Sequence, residues 1–70
     1  MTILELLELI AQGIEPPKNI KLGIEKFVYE KVDDNHYDYV SIYNPYVFLS
    51  EYIYFNKESL NQCIIILADK

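Results

Sequence analysis

Two adjacent prolines, Pro16-Pro17, follow closely on Gly13 and divide the chain into two unequal parts with different periodicities. A proline lacks the backbone donor a helix needs, and it pushes the residue before it toward extended conformations, so no helix runs through this point. On the N-terminal side, Ile3, Leu6, Leu7 and Ile10 recur at i, i+3, i+4, i+7, while Glu5, Glu8 and Gln12 fall largely opposite. Thr2 and Glu5 have the spacing of a capping box. Gly13 suits the left-handed position past a helix end, and Ile14 is placed to fold back on the last turn. The segment therefore reads as one amphipathic helix starting at about Ile3, with an apolar face that must be covered.

Beyond Pro17, β-branched and aromatic residues dominate and the apolar period becomes two. Asn19 to Leu22 is predicted as a short strand and Gly23 as a turn or bulge. Glu25 to Val32 is a longer strand, with Phe27, Tyr29 and Lys31 opposite Val28, Glu30 and Val32. Asp33-Asp34-Asn35 is a turn, and His36 to Tyr43 returns as the second arm of a hairpin. Val40 and Ile42 lie on one face of that arm, Tyr37, Tyr39 and Tyr43 on the other.

Asn44-Pro45 opens a new element. Tyr46 to Phe55 fits either a strand or a short helix capped by Asn44 with Pro45 at its first position, and a bent strand with one helical turn near Leu49 to Tyr52 is the preferred reading. Asn56-Lys57-Glu58-Ser59 is a polar turn. The unbroken apolar run Cys63 to Leu67 is expected to form a central strand covered on both faces, and Ala68-Asp69-Lys70 to fray. The expected fold is α+β: one N-terminal helix packed on a small, mainly antiparallel sheet of about four strands, in a single domain over residues 1–70.

The charge balance, 11 acidic residues against 6 lysines and no arginine, gives a net charge of −5. Nucleic-acid affinity comes from cations that displace counterions, so DNA, RNA and anionic membranes are poor partners for this surface. The lone Cys63 cannot form an internal disulfide, which points to a reducing cytoplasm. The apolar N-terminus lacks the basic flank of a signal peptide and is too short to span a bilayer.

Metal-ligand types crowd together at Asp33-Asp34-Asn35-His36-Tyr37-Asp38, but neither the glycine and bidentate glutamate of a calcium loop nor four convergent zinc ligands are present. A solvated hairpin turn is the better reading. His36 and Cys63 would be needed together for a nucleophile and its base, yet Cys63 sits in an apolar strand pattern that predicts a buried, unreactive thiol. Two glycines ten residues apart make no phosphate-cradling loop. No catalytic residue, metal ligand or cofactor is therefore assigned.

Tyrosine stands out, with seven in the chain: Tyr29, Tyr37, Tyr39, Tyr43, Tyr46, Tyr52 and Tyr54. Tyrosine covers half-buried sheet surfaces, and it also supplies anchors in protein interfaces. The expected partner-binding surface is the hairpin face of Tyr37, Tyr39 and Tyr43 with Asp33, Asp34 and Asp38. An aromatic face of this kind also serves as a homo-oligomer interface, which makes a self-associating scaffold protein or homodimer the alternative.

The stretch Glu5-Leu6-Leu7 through Ile10-Ala11-Gln12-Gly13-Ile14-Glu15-Pro16-Pro17-Lys18-Asn19-Ile20-Lys21 resembles the opening of small proteins of unknown function carried by bacteriophages and prophages of Gram-positive bacteria. Those proteins begin with a short helix and G-x-E-P-P-K-x-I-K, and they close with Leu-Asn and an isoleucine-rich strand, as Leu60-Asn61-Gln62-Cys63-Ile64-Ile65-Ile66 does here. The closing L-N-D-E-V form associated with them departs to Leu60-Asn61-Gln62-Cys63-Ile64, and the middle from Gly23 to Ser59 lies outside the resemblance. The resemblance implies a phage accessory protein in the bacterial cytoplasm and transfers no catalytic residue. In that setting the expected activity is non-enzymatic: binding a host protein, such as a defence nuclease or other nucleic-acid-binding protein, and inhibiting or redirecting it. A sharper version has the carboxylates imitate nucleic-acid phosphates.

Overall fold

A computed structural model describes residues 1–68, so of the residues expected to fray Asp69 and Lys70 lie outside it. Helix α1 spans Ile3–Ala11. The Thr2 backbone N–H donates to Glu5 Oε1 at 2.9 Å and the Glu5 N–H to Thr2 Oγ1 at 3.2 Å, completing the capping box. These bonds favour the charged carboxylate and hold the Glu5 carboxyl below its ordinary pKa. At the other end Gly13 has a φ of +78°. Its N–H donates to the Ile10 carbonyl and that of Ile14 to the Leu9 carbonyl, both at 3.0 Å, the Schellman arrangement that glycine permits.

Strands β1 (Asn19–Leu22), β2 (Glu25–Asp33), β3 (His36–Ser41) and β4 (Ile65–Ile66) form a four-stranded sheet in the order β3-β2-β1-β4, every pair antiparallel. The fold is α+β, with the N-terminal helix on an antiparallel sheet and a second short helix beside it. The β2–β3 turn is made by Asp34-Asn35, with the Asn35 N–H donating to Asp33 Oδ1 at 3.0 Å. Neither turn residue has a positive φ, so the turn is not of the primed type that matches strand twist. The register shifts between Lys31 and Asp33, and this bulge at Val32 lets the hairpin close.

Two expectations are corrected. The segment after Pro45 forms helix α2 (Leu49–Phe55) rather than a bent strand, and the helix starts behind Phe48, not at Asn44-Pro45. Asn44 instead builds a turn, its Oδ1 accepting from the Tyr46 N–H and its carbonyl from the Val47 N–H, both at 3.0 Å. A helix places Leu49 and Ile53, four residues apart, on the face that meets the core. Nor is the Cys63–Leu67 run a central strand: only Ile65–Ile66 pair, at the sheet edge, and both are exposed. Ile64 alone turns into the core, while the exposed Cys63 bridges to Thr2 instead of lying buried.

The core comprises Ile3 and Leu6 from α1, Ile20, Phe27 and Tyr39 from the sheet, Leu49 from α2, and Ile64. Both helices therefore cover the sheet face of Ile20, Phe27 and Tyr39. Alternation sends Lys21, Lys26, Val28, Glu30 and Val40 to the opposite face. Neither helix packs there, and Phe48 bridges to Val40 at its outer border. Among the described residues, no helix is long and apolar enough to cross a membrane.

Candidate functional site

The hairpin residues singled out in the sequence do not converge. Asp33 and Asp34 are exposed at the β2–β3 turn. Tyr37 is half exposed, stacked on Tyr29 with ring centroids 5.5 Å apart. Tyr39 is 2% exposed and belongs to the core, which removes it from any surface. Its hydroxyl donates to the Pro17 carbonyl at 2.5 Å, and burial, followed by the neighbouring Tyr29, pushes its pKa well above the ordinary tyrosine value. Tyr43 is exposed beyond the end of β3, about 20 Å along the chain from Tyr37.

Asp38 has a structural job at the sheet edge. Its Oδ1 accepts from the Tyr39 N–H at 2.7 Å and its Oδ2 from the Ser50 hydroxyl. With the Ser41 N–H donating to the Val47 carbonyl at 3.0 Å, this satisfies outward donors of the β3 edge and pins α2 against it. His36 opens β3 at one edge of the sheet and Cys63 precedes β4 at the other, so at least three strand spacings, about 14 Å or more, separate them, too far to share a proton.

A different surface gathers the aromatic residues. Tyr46 is 83% exposed, Phe55 82% and Tyr54 73%. A shallow depression of about 370 Å³ is lined by Tyr46, Val47, Phe48, Glu51, Tyr52, Phe55 and Asn56. A second, of about 530 Å³, is lined by Ser50, Glu51, Tyr54 and Phe55. Phe55 and Glu51 belong to both and are one helical turn apart. The rings of Tyr54 and Phe55 meet edge to face at 5.2 Å, and the Tyr52 hydroxyl donates to Gln62 Oε1 at 3.2 Å.

Since an aromatic side chain buries roughly 150–250 Å² when covered, three that are mostly exposed amount to a patch of several hundred Å², the size that marks interaction surfaces. Tyr46, Tyr52 and Tyr54 were visible in the sequence as part of its tyrosine excess, but Phe55 was not singled out. The signal that unites them is the Leu49/Ile53 spacing: once these point inward, Glu51, Tyr54 and Phe55 must point out. Comparison with protein-family models, with curated proteins and with solved structures finds no match to this chain.

Proposed function

We propose that this chain is a non-enzymatic binding protein that engages another protein through the aromatic surface of α2. The observation that carries the reading is the exposure of Tyr46, Tyr54 and Phe55 around one acidic residue, Glu51. Leaving such rings in water is unfavourable, whereas docking them into a partner's pockets gains contact area at low entropic cost. Glu51 and the net charge of −5 favour a partner with a basic contact surface. The exposed thiol of Cys63 fits a reducing compartment. The phage-like Gly13-to-Lys21 segment supports a bacterial host protein as the target, and inhibition or redirection by steric cover as the mode of action.

The test compares the wild-type protein with Phe55→Ser as bait in lysate of a Gram-positive host, followed by affinity measurement on the purified partner. Phe55→Ser is expected to weaken binding by roughly thirtyfold, an anchor-sized loss, with an unchanged far-UV spectrum. A partner held equally well by Phe55→Ser, but released by Asp33→Lys/Asp34→Lys, would return the site to the hairpin.

A further inference from the structure

The sheet face that neither helix covers has an unusual charge layout. Lys21 stands directly opposite Lys26 across β1 and β2, and Glu30 directly opposite Asp38 across β2 and β3. Like charges at directly opposed positions destabilise a sheet, and here two such pairs of opposite sign sit at the two ends of one face. Among the described residues, Lys21, Lys26 and Glu30 make no ion pair. Between the ends, Val28, Ile42 and Leu67 help line a shallow concavity of about 480 Å³ whose rim also carries Lys18, Asn19, Lys26 and Glu30. Val28 is half-buried, and Val40 directly opposite it is buried. Ile42 is 54% and Ile65 60% exposed.

We infer that this face is the interface of a homodimer, and that its occupant is a second copy of the chain. Val28 lies midway between Lys26 and Glu30, which are about 13 Å apart along β2. A two-fold axis lying in the interface plane and crossing β2 at Val28 reverses the strand direction of the second copy. It lays Lys26 of each copy over Glu30 of the other, with the two Val28 side chains meeting on the axis. Packed sheets stand about 10 Å apart, a gap that a lysine and a glutamate reaching toward each other close. Lys21 strengthens the basic end, while Asp38 is held at the β3 edge by the Tyr39 N–H and the Ser50 hydroxyl. Glu30 therefore carries the acidic end, and the dimer gives each Lys26 and Glu30 an opposite charge that it lacks in the monomer. A basic or acidic foreign partner would satisfy only one end.

The face is smaller than the roughly 800 Å² per partner of a typical specific interface, so a weak dimer is expected and is sought at high protein concentration. It leaves the α2 patch free, and the two surfaces can be tested separately.

Sedimentation velocity is run on the intact protein over roughly 10–500 μM at about 50 mM and about 500 mM salt. A monomer–dimer equilibrium that weakens at high salt is expected. Glu30→Lys and Lys26→Glu should each raise the dissociation constant at least roughly tenfold, and the combined Lys26→Glu/Glu30→Lys protein should recover dimerisation. Each single reversal replaces a like-charge pair within the sheet by an opposite pair, so both should melt no lower than wild type. Phe55→Ser should dimerise like wild type. The inference is overturned by a protein that stays monomeric at about 500 μM and low salt, by single reversals that dimerise normally, by a double variant that fails to recover, or by loss of the dimer in Phe55→Ser.

Discussion

Tyr39 separates what a sequence pattern says from what position in a fold decides. It shares its alternation with Tyr37, and both point to the helix side of β3, but Tyr37 stays half exposed near the hairpin end while Tyr39 lies in the core. A buried phenol needs a partner, and the Pro17 carbonyl supplies it, so one side chain ties the proline segment to the sheet. Tyr39→Phe should lower stability by about 1 kcal/mol in urea denaturation at neutral pH. The same burial makes a pH prediction. In the unfolded chain the phenol releases its proton near the ordinary value of 10.0, whereas in the folded protein it keeps the proton to higher pH. Above about pH 10 the unfolded state therefore binds fewer protons, and stability falls as pH rises. The contribution is complete below that value. In Tyr39→Phe the alkaline decline should be shallower than in wild type, and parallel curves for the two proteins would show that Tyr39 ionises freely in the folded state.

At the scale of elements, local chemistry was readable wherever a few neighbouring residues settle the outcome. The capping box, the glycine stop of α1, β1, β2 and the hairpin are cases of this kind. Gly13 is the sharpest, because its φ of +78° lies where L-residues are strained, while a Cβ built there would touch nothing within 4 Å. Gly13→Ala should thus cost roughly 1 kcal/mol through backbone conformation alone, with Gly13→Asn losing less, as read from paired urea titrations. Equal stability of wild type and Gly13→Ala would mean that α1 ends differently in solution. The elements that could not be read depend on distant partners. In α2, Tyr52, Ile53, Tyr54 and Phe55 are strand formers by preference, and seven residues are too few for a helical period to stand out. Burial of Leu49 and Ile53 against the rest of the core outweighs that preference. The aromatic surface was hidden for the same reason, since Tyr54 and Phe55 share a patch with Tyr46 only on a helix. The run at Cys63–Leu67 misled differently. Five apolar residues look alike whether all are buried or, as here, Ile64 alone fills the core while Ile65–Ile66 pair at an edge.

For the molecule as a whole, that edge arrangement joins the two ends of the described chain. The Ile3 N–H donates to the Gln62 carbonyl at 3.0 Å and the Ile64 N–H to the Met1 carbonyl at 2.7 Å, so the start of α1 is held by the segment leading into β4. Ile3 and Ile64 enter the same core cluster from these two strands of backbone. A seventy-residue domain has a stability of roughly 4–10 kcal/mol, and its small core leaves few contacts to compensate for a loss. Ile64→Ala removes a nearly fully buried side chain at the point where both ends meet, and should cost about 2–4 kcal/mol, a large share of the total. Cys63→Ser, one residue away but exposed, should change stability by no more than about 0.5 kcal/mol. Urea denaturation of the two variants reads the contrast directly. Hydrogen exchange gives the molecular reason: in Ile64→Ala, the Ile3 amide should lose protection together with that of residue 64, because each depends on the other segment. If Ile64→Ala loosened only its own amide, the clasp between the ends would be a local contact and not part of the cooperative unit.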